Sequence, residues 1–202
     1  AYIESNRIEP AVREFERAVA SDPQNKTNHY ILGVLYRTIN KFDEAIAQFK
    51  ETLRLDPNDC DALFDLAATY YNWGVDIIKD ADEKGEPNDA YKEKFQAALP
   101  YMEKVTDCKK DDVNVWETLG TVYARLGQQD KAIEAFEMAD GIRKGLKIGM
   151  SMSEVETIFG VPDKKVETVY EGVRAMHWHY PSKEAFLYFV DGKLKAWTRS
   201  VK

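Results

Sequence analysis

The chain has 202 residues, of which 44% are apolar and 31% are charged, an ordinary balance for a globular protein. It contains no run of about 18 apolar residues, so the sequence predicts no transmembrane helix. Residues 1–141 carry 17 Lys and Arg against 28 Asp and Glu, whereas residues 142–202 carry 11 against 7. An acidic first part does not suit a phosphate backbone, which argues against nucleic acid as the main partner.

An internal repeat occupies the first 141 residues. A small residue, an aromatic residue four positions later and a proline recur with a period of 34 residues, and a Leu-Gly/Ala-x2-Tyr spacing precedes them. The first spacing includes Ala11, Phe15 and Pro23, then Ala45, Phe49 and Pro57, and later Ala132 and Phe136; the second lies at Leu32-Gly33-x2-Tyr36, Leu66-Ala67-x2-Tyr70 and Leu119-Gly120-x2-Tyr123.

These spacings are the signature of the tetratricopeptide repeat, and they predict antiparallel helix pairs that stack into a superhelix. The resulting units are a half repeat at 1–25 and repeats at 26–59, 60–112 and 113–141. Because the chain opens on half a repeat, we expect the natural protein to continue N-terminally, with any targeting segment upstream.

The repeat at 60–112 is longer than the period allows, and its second half is displaced by 19 residues. Helical faces on both sides of a turn at 85–89 predict an elongated hairpin over about 74–93. It is either a tolerated insertion or a contact arm. Cys60 and Cys108 fall at the same end of this hairpin, so an oxidising compartment would allow a disulfide, but the sequence leaves the direction of their side chains open.

Residues 142–202 change pattern and predict a small α+β domain. A capping box at Ser151-x-x-Glu154 begins a short helix that ends at Gly160. Four strands follow, at 165–170, 174–180, 186–190 and 194–198, and the last two flank an Asp191-Gly192 hairpin turn. Alternation places Trp178 and Tyr180 on one sheet face and His177 and His179 on the other.

The C-terminal region contains four further motifs, Ile148-Gly149-Met150-Ser151, Phe159-Gly160-x-Pro162, Trp178-x-Tyr180 and Phe189-x-x-Gly192-Lys193-Leu194. On these motifs it resembles the SmpA/OmlA (BamE-like) family of outer-membrane lipoproteins over about residues 146–200. The resemblance implies helices packed on a small antiparallel sheet, similar to the β-lactamase-inhibitor fold, with residues 141–147 supplying a second helix. It also implies a Gram-negative envelope protein that binds other proteins.

In tetratricopeptide arrays the first helix of each repeat lines a concave groove. Aromatic residues with interspersed polar groups suit a peptide, because they bury area at low entropic cost while satisfying peptide backbone groups. The alternative is that these aromatics pack against the hairpin or the C-terminal domain. The partner-binding candidates are Tyr30, Arg37, Phe64, Tyr71, Asn72, Asn114, Glu117 and Arg125, with Thr27, Val34, Asp61, Ala68 and Thr121 on the same face.

Candidates for chemistry are few. The sequence holds no phosphate loop, nucleophile elbow or zincin motif, so we expect no catalytic residue, no cofactor and no enzyme activity. His177 and His179 are weak metal candidates, since zinc needs three or four ligands and the sequence places no third one nearby. His29 replaces an aromatic residue at a repeat-packing position, which indicates a structural role.

These observations favour a non-enzymatic adaptor in the periplasm, or at the periplasmic face of the outer membrane. Its groove would hold a peptide or a partner protein, and its C-terminal domain would dock on a second protein. The alternative is a regulator or inhibitor of an enzyme that acts through the C-terminal sheet. An open, aromatic-lined groove would support the adaptor, and an exposed aromatic cluster on the sheet would support the regulator.

Overall fold

The structure is a computed structural model that describes residues 2–170, 172–181 and 185–199. The described part contains eight helices followed by four strands, which confirms the predicted helical repeats and small α+β domain. The elements are α1 (Tyr2–Ser21), α2 (Lys26–Thr38), α3 (Phe42–Leu55), α4 (Cys60–Lys84), α5 (Ala90–Cys108), α6 (Val113–Arg125), α7 (Gln129–Arg143), α8 (Met152–Phe159), β1 (Lys164–Tyr170), β2 (Val173–Tyr180), β3 (Ala185–Val190) and β4 (Lys193–Arg199).

The chain divides into two compact units, Ala1–Cys108 and Lys109–Lys202. Among the described helices, none combines the length and apolar character needed to cross a membrane. The pattern change at 141/142 falls inside the second unit. The last helix pair and the sheet therefore share one unit, although the repeat signature ends between them.

The signature residues make the first unit's helix pairs possible. Phe49 is fully buried on α3, and its ring lies against Gly33 of α2, where an added Cβ would approach Phe49 Cε1 to 2.7 Å. A side chain at this position would therefore displace the ring. Leu32 and Ala45 complete the same buried cluster, which explains why one spacing supplies the small residue and the other supplies the ring.

The α4–α5 hairpin contains 25 and 19 residues, whereas α2 and α3 contain 13 and 14. Gly85 ends α4 in a left-handed conformation, and its N–H donates to backbone carbonyls of the last turn. A disulfide joins Cys60 to Cys108 with a Cα–Cα distance of 6.3 Å. It links the first residue of α4 to the last residue of α5, so the bond that the sequence left open closes the hairpin at its base.

Within the second unit, α7 continues past the end of the repeat signature and packs on the sheet. Gly141 lies inside α7, where an added Cβ would come within 1.9 Å of Trp197 Nε1. The Trp197 indole donates to the Glu137 carbonyl at 2.8 Å. Gly141 therefore leaves the space that the Trp197 side chain of β4 occupies, and α7 continues past it. Residues 141–147 contain the last turn of α7 and a turn at Gly145, so the separate helix expected there is absent from this described stretch.

The sheet is antiparallel, with strand order β1-β2-β3-β4. Its inner face buries Trp178 and Tyr180 against α8 and against residues from the end of α7. The predicted capping box begins α8, since Ser151 and Glu154 make both reciprocal bonds. Asp191 and Gly192 have φ values of 49° and 72°, the positive values that a tight two-residue hairpin turn requires.

We expect Gly141→Ala to destabilise the second unit by about 1–3 kcal/mol, because Trp197 is buried and tied to Glu137 and cannot retreat. Urea denaturation measures this change. The sign of this change in unfolding free energy tests the packing of Trp197 on Gly141, since the same substitution in an uncrowded helix adds roughly 0.5–1 kcal/mol of stability. Glu134→Ala, at an exposed position on α7, is the control, with an effect within about 0.5 kcal/mol. A stabilised Gly141→Ala variant would contradict the packing.

Candidate functional site

The predicted groove face of the first unit is organised around Asp65 on α4, a residue that is 7% exposed. The Tyr30 hydroxyl donates to Asp65 Oδ2 at 2.8 Å, and Arg37 Nη2 lies 3.2 Å from Asp65 Oδ1. Each carboxylate oxygen therefore has its own partner from α2, as a buried charge requires. Asp65, which is not among the predicted groove residues, therefore fixes the positions of two that are, Tyr30 and Arg37.

Electrostatics reinforce this arrangement. Burial, followed by the hydrogen bond to Asp65, raises the pKa of Tyr30 well above its ordinary value, so the hydroxyl stays a proton donor. The ring of Tyr30 also lies 6.0 Å from that of Phe49, which anchors it in the core. Tyr30 consequently presents a fixed orientation to the surface beside it.

A shallow pocket of about 150 Å³ adjoins Tyr30 and is lined by Lys26, Thr27, Tyr30, Asp59 and Asp61. Lys26 Nζ donates to Asp56 and to Asp59, and the Asp59 contact measures 3.0 Å. Hydrogen bonding to Lys26 lowers the pKa of the Asp56 carboxyl, which keeps the bridge charged. The pocket therefore has an apolar ring on one side and a polar, charged rim on the other.

Other candidates on α4 differ in what they offer. Tyr71 stacks on Phe95 of α5, with ring centres 5.5 Å apart and planes 18° from parallel. Packing within the hairpin, the alternative considered for the groove aromatics, therefore describes Tyr71. Phe64 is half-buried, whereas Asn72 is exposed and accessible to a ligand.

In the second unit, the first helix of the repeat carries the remaining candidates. Asn114 and Arg125 are exposed at opposite ends of α6. Glu117 forms an ion pair with Arg143 of α7. The structure therefore leaves Asn114 and Arg125 accessible on this helix, while Glu117 links the two helices of its own repeat.

The two sheet histidines lie on one face, as alternation predicts. The His179 ring stacks on Phe186 with centres 4.0 Å apart, and His177 lies 4.9 Å from Tyr188. No group of three or more His, Cys, Asp or Glu suited to a metal ion occurs among the residues that the structure describes. His29 is 5% exposed and bonds Gln48 and the Pro23 carbonyl, which agrees with its predicted structural role.

Asp65 is the residue that sequence reasoning missed. It follows Asp61 by four positions, hence on the same helical face, and it interrupts an otherwise apolar Leu-Phe-Asp-Leu stretch. A lone carboxylate among core positions is a signal for a buried partner. Its partners lie on α2, about 30 residues earlier, and no local pattern identifies them.

We expect Asp65→Ala to lower the free energy of unfolding of the first unit by about 1–3 kcal/mol, because Tyr30 and Arg37 both lose their acceptor. Asp65→Asn keeps an acceptor for Tyr30 but removes the charge opposite Arg37, so its loss should be smaller. Urea denaturation of the two variants side by side measures both effects. Equal stability of wild type and Asp65→Ala would refute the bonding.

Comparisons with known proteins agree with this fold. The tetratricopeptide repeat family matches residues 1–60 and 113–145. Superkiller protein 3 of Schizosaccharomyces pombe is 25% identical over 156 residues, which cover 66% of this chain and 11% of that protein. The chain therefore spans about a ninth of the length of this curated relative.

Two solved structures illustrate the likeness. The structure of MamA 41-end from Desulfovibrio magneticus RS-1 is 20% identical, with a TM-score of 0.55 over 70% of this chain and 72% of that one. The MamA RS-1 ArsTM double mutant is also 20% identical, with a TM-score of 0.56 over 69% and 68%. At this identity the likeness supports the fold alone. The chain contains tetratricopeptide repeats, an architecture whose stacked units create extended concave binding surfaces.

Proposed function

We propose that this chain is a non-enzymatic adaptor whose α2/α4 face holds a peptide or a segment of a partner protein. This face is defined by Thr27, Tyr30, Arg37, Asp65 and Asn72. The observation that carries the proposal is the fixing of Tyr30 and Arg37 by buried Asp65 beside a pocket of about 150 Å³. An aromatic ring held in one orientation next to charged and amide groups binds a peptide at low entropic cost.

The polar groups of this face suit an extended backbone. Thr27 and Asn72 are exposed and can donate to peptide carbonyls or accept from peptide N–H groups. Arg37, whose side chain is 27% exposed, combines its bond to Asp65 with further donors in the guanidinium fork. The second unit offers Asn114 and Arg125 on its own first helix in the same role.

We place the protein in the Gram-negative envelope, in the periplasm or at the periplasmic face of the outer membrane. The Cys60–Cys108 disulfide supports an oxidising compartment, since such bonds are rare where glutathione keeps thiols reduced. The resemblance of residues 146–200 to the SmpA/OmlA family supports the same location. The α8 helix and the antiparallel sheet of β1–β4 agree with that resemblance, whereas the second helix that it implies at 141–147 is absent from the described residues.

The test is capture of a partner from a native envelope extract by three forms of the full-length protein. Thr27→Lys/Asn72→Lys blocks the α2/α4 face at exposed positions without touching the core. The matched control, Ala47→Lys/Gln96→Lys, adds the same charge at exposed positions on α3 and α5. Loss of the partner in the face variant alone supports the proposal, and retention by both variants rejects it.

A second candidate function is regulation or inhibition of an enzyme through the C-terminal sheet. It is favoured by the exposed aromatic side chains on the outer sheet face, where Phe186 is 38% and Tyr188 is 36% exposed. An inhibitor binds its enzyme stoichiometrically, so enzyme activities of the same extract, assayed with and without added protein, test this function. Inhibition that survives Tyr188→Ser would show that the outer sheet face is not the inhibitory surface.

A further inference from the structure

The outer face of the sheet has an unusual composition that the adaptor groove does not use. Its members follow from strand pairing, because residues directly opposite in antiparallel strands share a face, and His177 and His179 lie opposite the buried side. The outward residues with described side chains are Lys164, Val166 and Thr168 on β1; Val173, Ala175, His177 and His179 on β2; Phe186, Tyr188 and Val190 on β3; and Lys193, Ala196 and Thr198 on β4.

The outer sheet face exposes apolar side chains from three strands, with His177 between Val166 and Tyr188. Val166, Val173, Phe186 and Tyr188 are each between 36% and 46% exposed. The His179 ring stacks flat on Phe186, with planes 2° apart, whereas the His177 ring is tilted by 51° against Tyr188. Both histidines therefore contact the β3 aromatics. Contiguous exposed apolar surface of this kind marks a binding surface more often than ordinary protein exterior.

The charged residues of the outer sheet face indicate the chemistry of its partner. No Asp or Glu occupies an outward strand position among the described residues, whereas Lys164 and Lys193 stand exposed at strand ends. Lys193 also interacts electrostatically with the Glu154 carboxylate at the start of α8. The strand carboxylate Glu167 pairs opposite inward-facing Met176, so it belongs to the other face. Glu137 of α7 reaches the β4 edge, where it accepts a hydrogen bond from Thr198. Complementarity therefore favours a partner that brings carboxylates next to apolar side chains.

The area of the outer sheet face also restricts the kind of partner that it can bind. Four strands spaced about 4.8 Å apart and about 3.4 Å per residue in length give a face of roughly 20 Å by 20 Å, or about 400 Å². One partner in a standard protein interface contributes about 800 Å². The face is thus large enough for a peptide segment but small for a stable contact with a second copy of the chain.

We propose that the outer sheet face binds an acidic segment of a partner protein, with carboxylates placed at Lys164 and Lys193 and apolar side chains on Phe186 and Tyr188. This site rests on the proposed role as a protein-binding adaptor and names the chemistry of its second docking surface. A membrane surface with anionic headgroups is a different occupant. The two outward lysines, Lys164 and Lys193, are fewer than the clusters of about four to eight basic residues that bind anionic headgroups, which favours the peptide.

Selection of a random peptide display library on the immobilised full-length protein tests this inference. Selected peptides should be enriched in Asp and Glu beside aromatic or aliphatic residues. Their affinity should fall at least tenfold in Lys164→Glu/His177→Glu, which changes two exposed positions on the face. The matched control, Lys147→Glu/Thr157→Glu, makes the same charge change at exposed positions off the sheet and should bind as wild type does.

Four outcomes would overturn the inference. Selected peptides could be basic, or no peptide could depend on the sheet variant. Alternatively, vesicles containing phosphatidylglycerol could cosediment with wild type but not with the sheet variant, while peptides bind both. Acidic peptides lost only in Thr27→Lys/Asn72→Lys would assign them to the α2/α4 face, so the inference would fail while the adaptor function stands. Far-UV circular dichroism confirms that each variant is folded.

Discussion

Phe95→Ala should lower the free energy of unfolding of the first unit by about 3–5 kcal/mol, the largest effect expected of any substitution considered for this protein. Phe95 is 1% exposed and packs between α4 and α5, the two helices of the long hairpin. It stacks on Tyr71, meets Tyr91 edge-on, and fills the space beside Gly74, where an added Cβ would approach it to 2.5 Å. Removal of the ring leaves a cavity between α4 and α5.

Urea denaturation measures this loss, and Phe95→Leu is the informative companion because it restores most of the apolar volume. Phe186→Ala, at an exposed position on the sheet, controls for removal of a ring as such and should cost less than about 1 kcal/mol. A loss below about 1 kcal/mol for Phe95→Ala would mean that the hairpin is not organised around this ring. Tyr71 would then return as a ligand-facing residue.

Reduction of the Cys60–Cys108 disulfide should lower the free energy of unfolding by about 2–4 kcal/mol. The two cysteines are 48 residues apart in sequence, and their bond restricts the unfolded chain across the whole α4–α5 hairpin. Denaturation with and without dithiothreitol measures the effect. The effect should be absent from Cys60→Ser/Cys108→Ser, whose stability should match that of the reduced wild type.

An unchanged unfolding free energy after complete reduction, verified by thiol titration, would contradict this expectation. The result also bears on location. A protein that needs this bond for much of its stability requires an oxidising compartment, whereas one indifferent to the bond removes that support for the envelope proposal.

The helical repeats could be predicted from the sequence because their determinants are local and periodic. Gly33 and Phe49 belong to one 34-residue pattern, and their contact in the structure is the reason for the pattern. The Asp191-Gly192 turn was equally predictable, because a two-residue hairpin demands positive φ values that few residues adopt.

What escaped prediction depends on contacts distant in sequence. Gly141 is required by Trp197, which lies 56 residues later in the sequence. The bonding of Asp65 to α2 depends on helix stacking, and the disulfide depends on the direction of Cβ vectors, which no spacing supplies. Position on a helical face does not distinguish packed Tyr71 from accessible Asn72, because the difference depends on the Phe95 ring of the next helix.

The most direct test of the account is site-specific photocrosslinking in the native envelope, with a photoreactive amino acid placed singly at Asn72, Ala47 or Thr157. All three positions are exposed, and they lie on the proposed α2/α4 face, on α3 and on α8 respectively. Binding at the α2/α4 face predicts a discrete crosslinked partner from Asn72 that Thr27→Lys abolishes, with none from Ala47 or Thr157. A partner crosslinked only from Ala47 or Thr157, or from all three positions equally, would contradict the assignment of the α2/α4 face as the binding site.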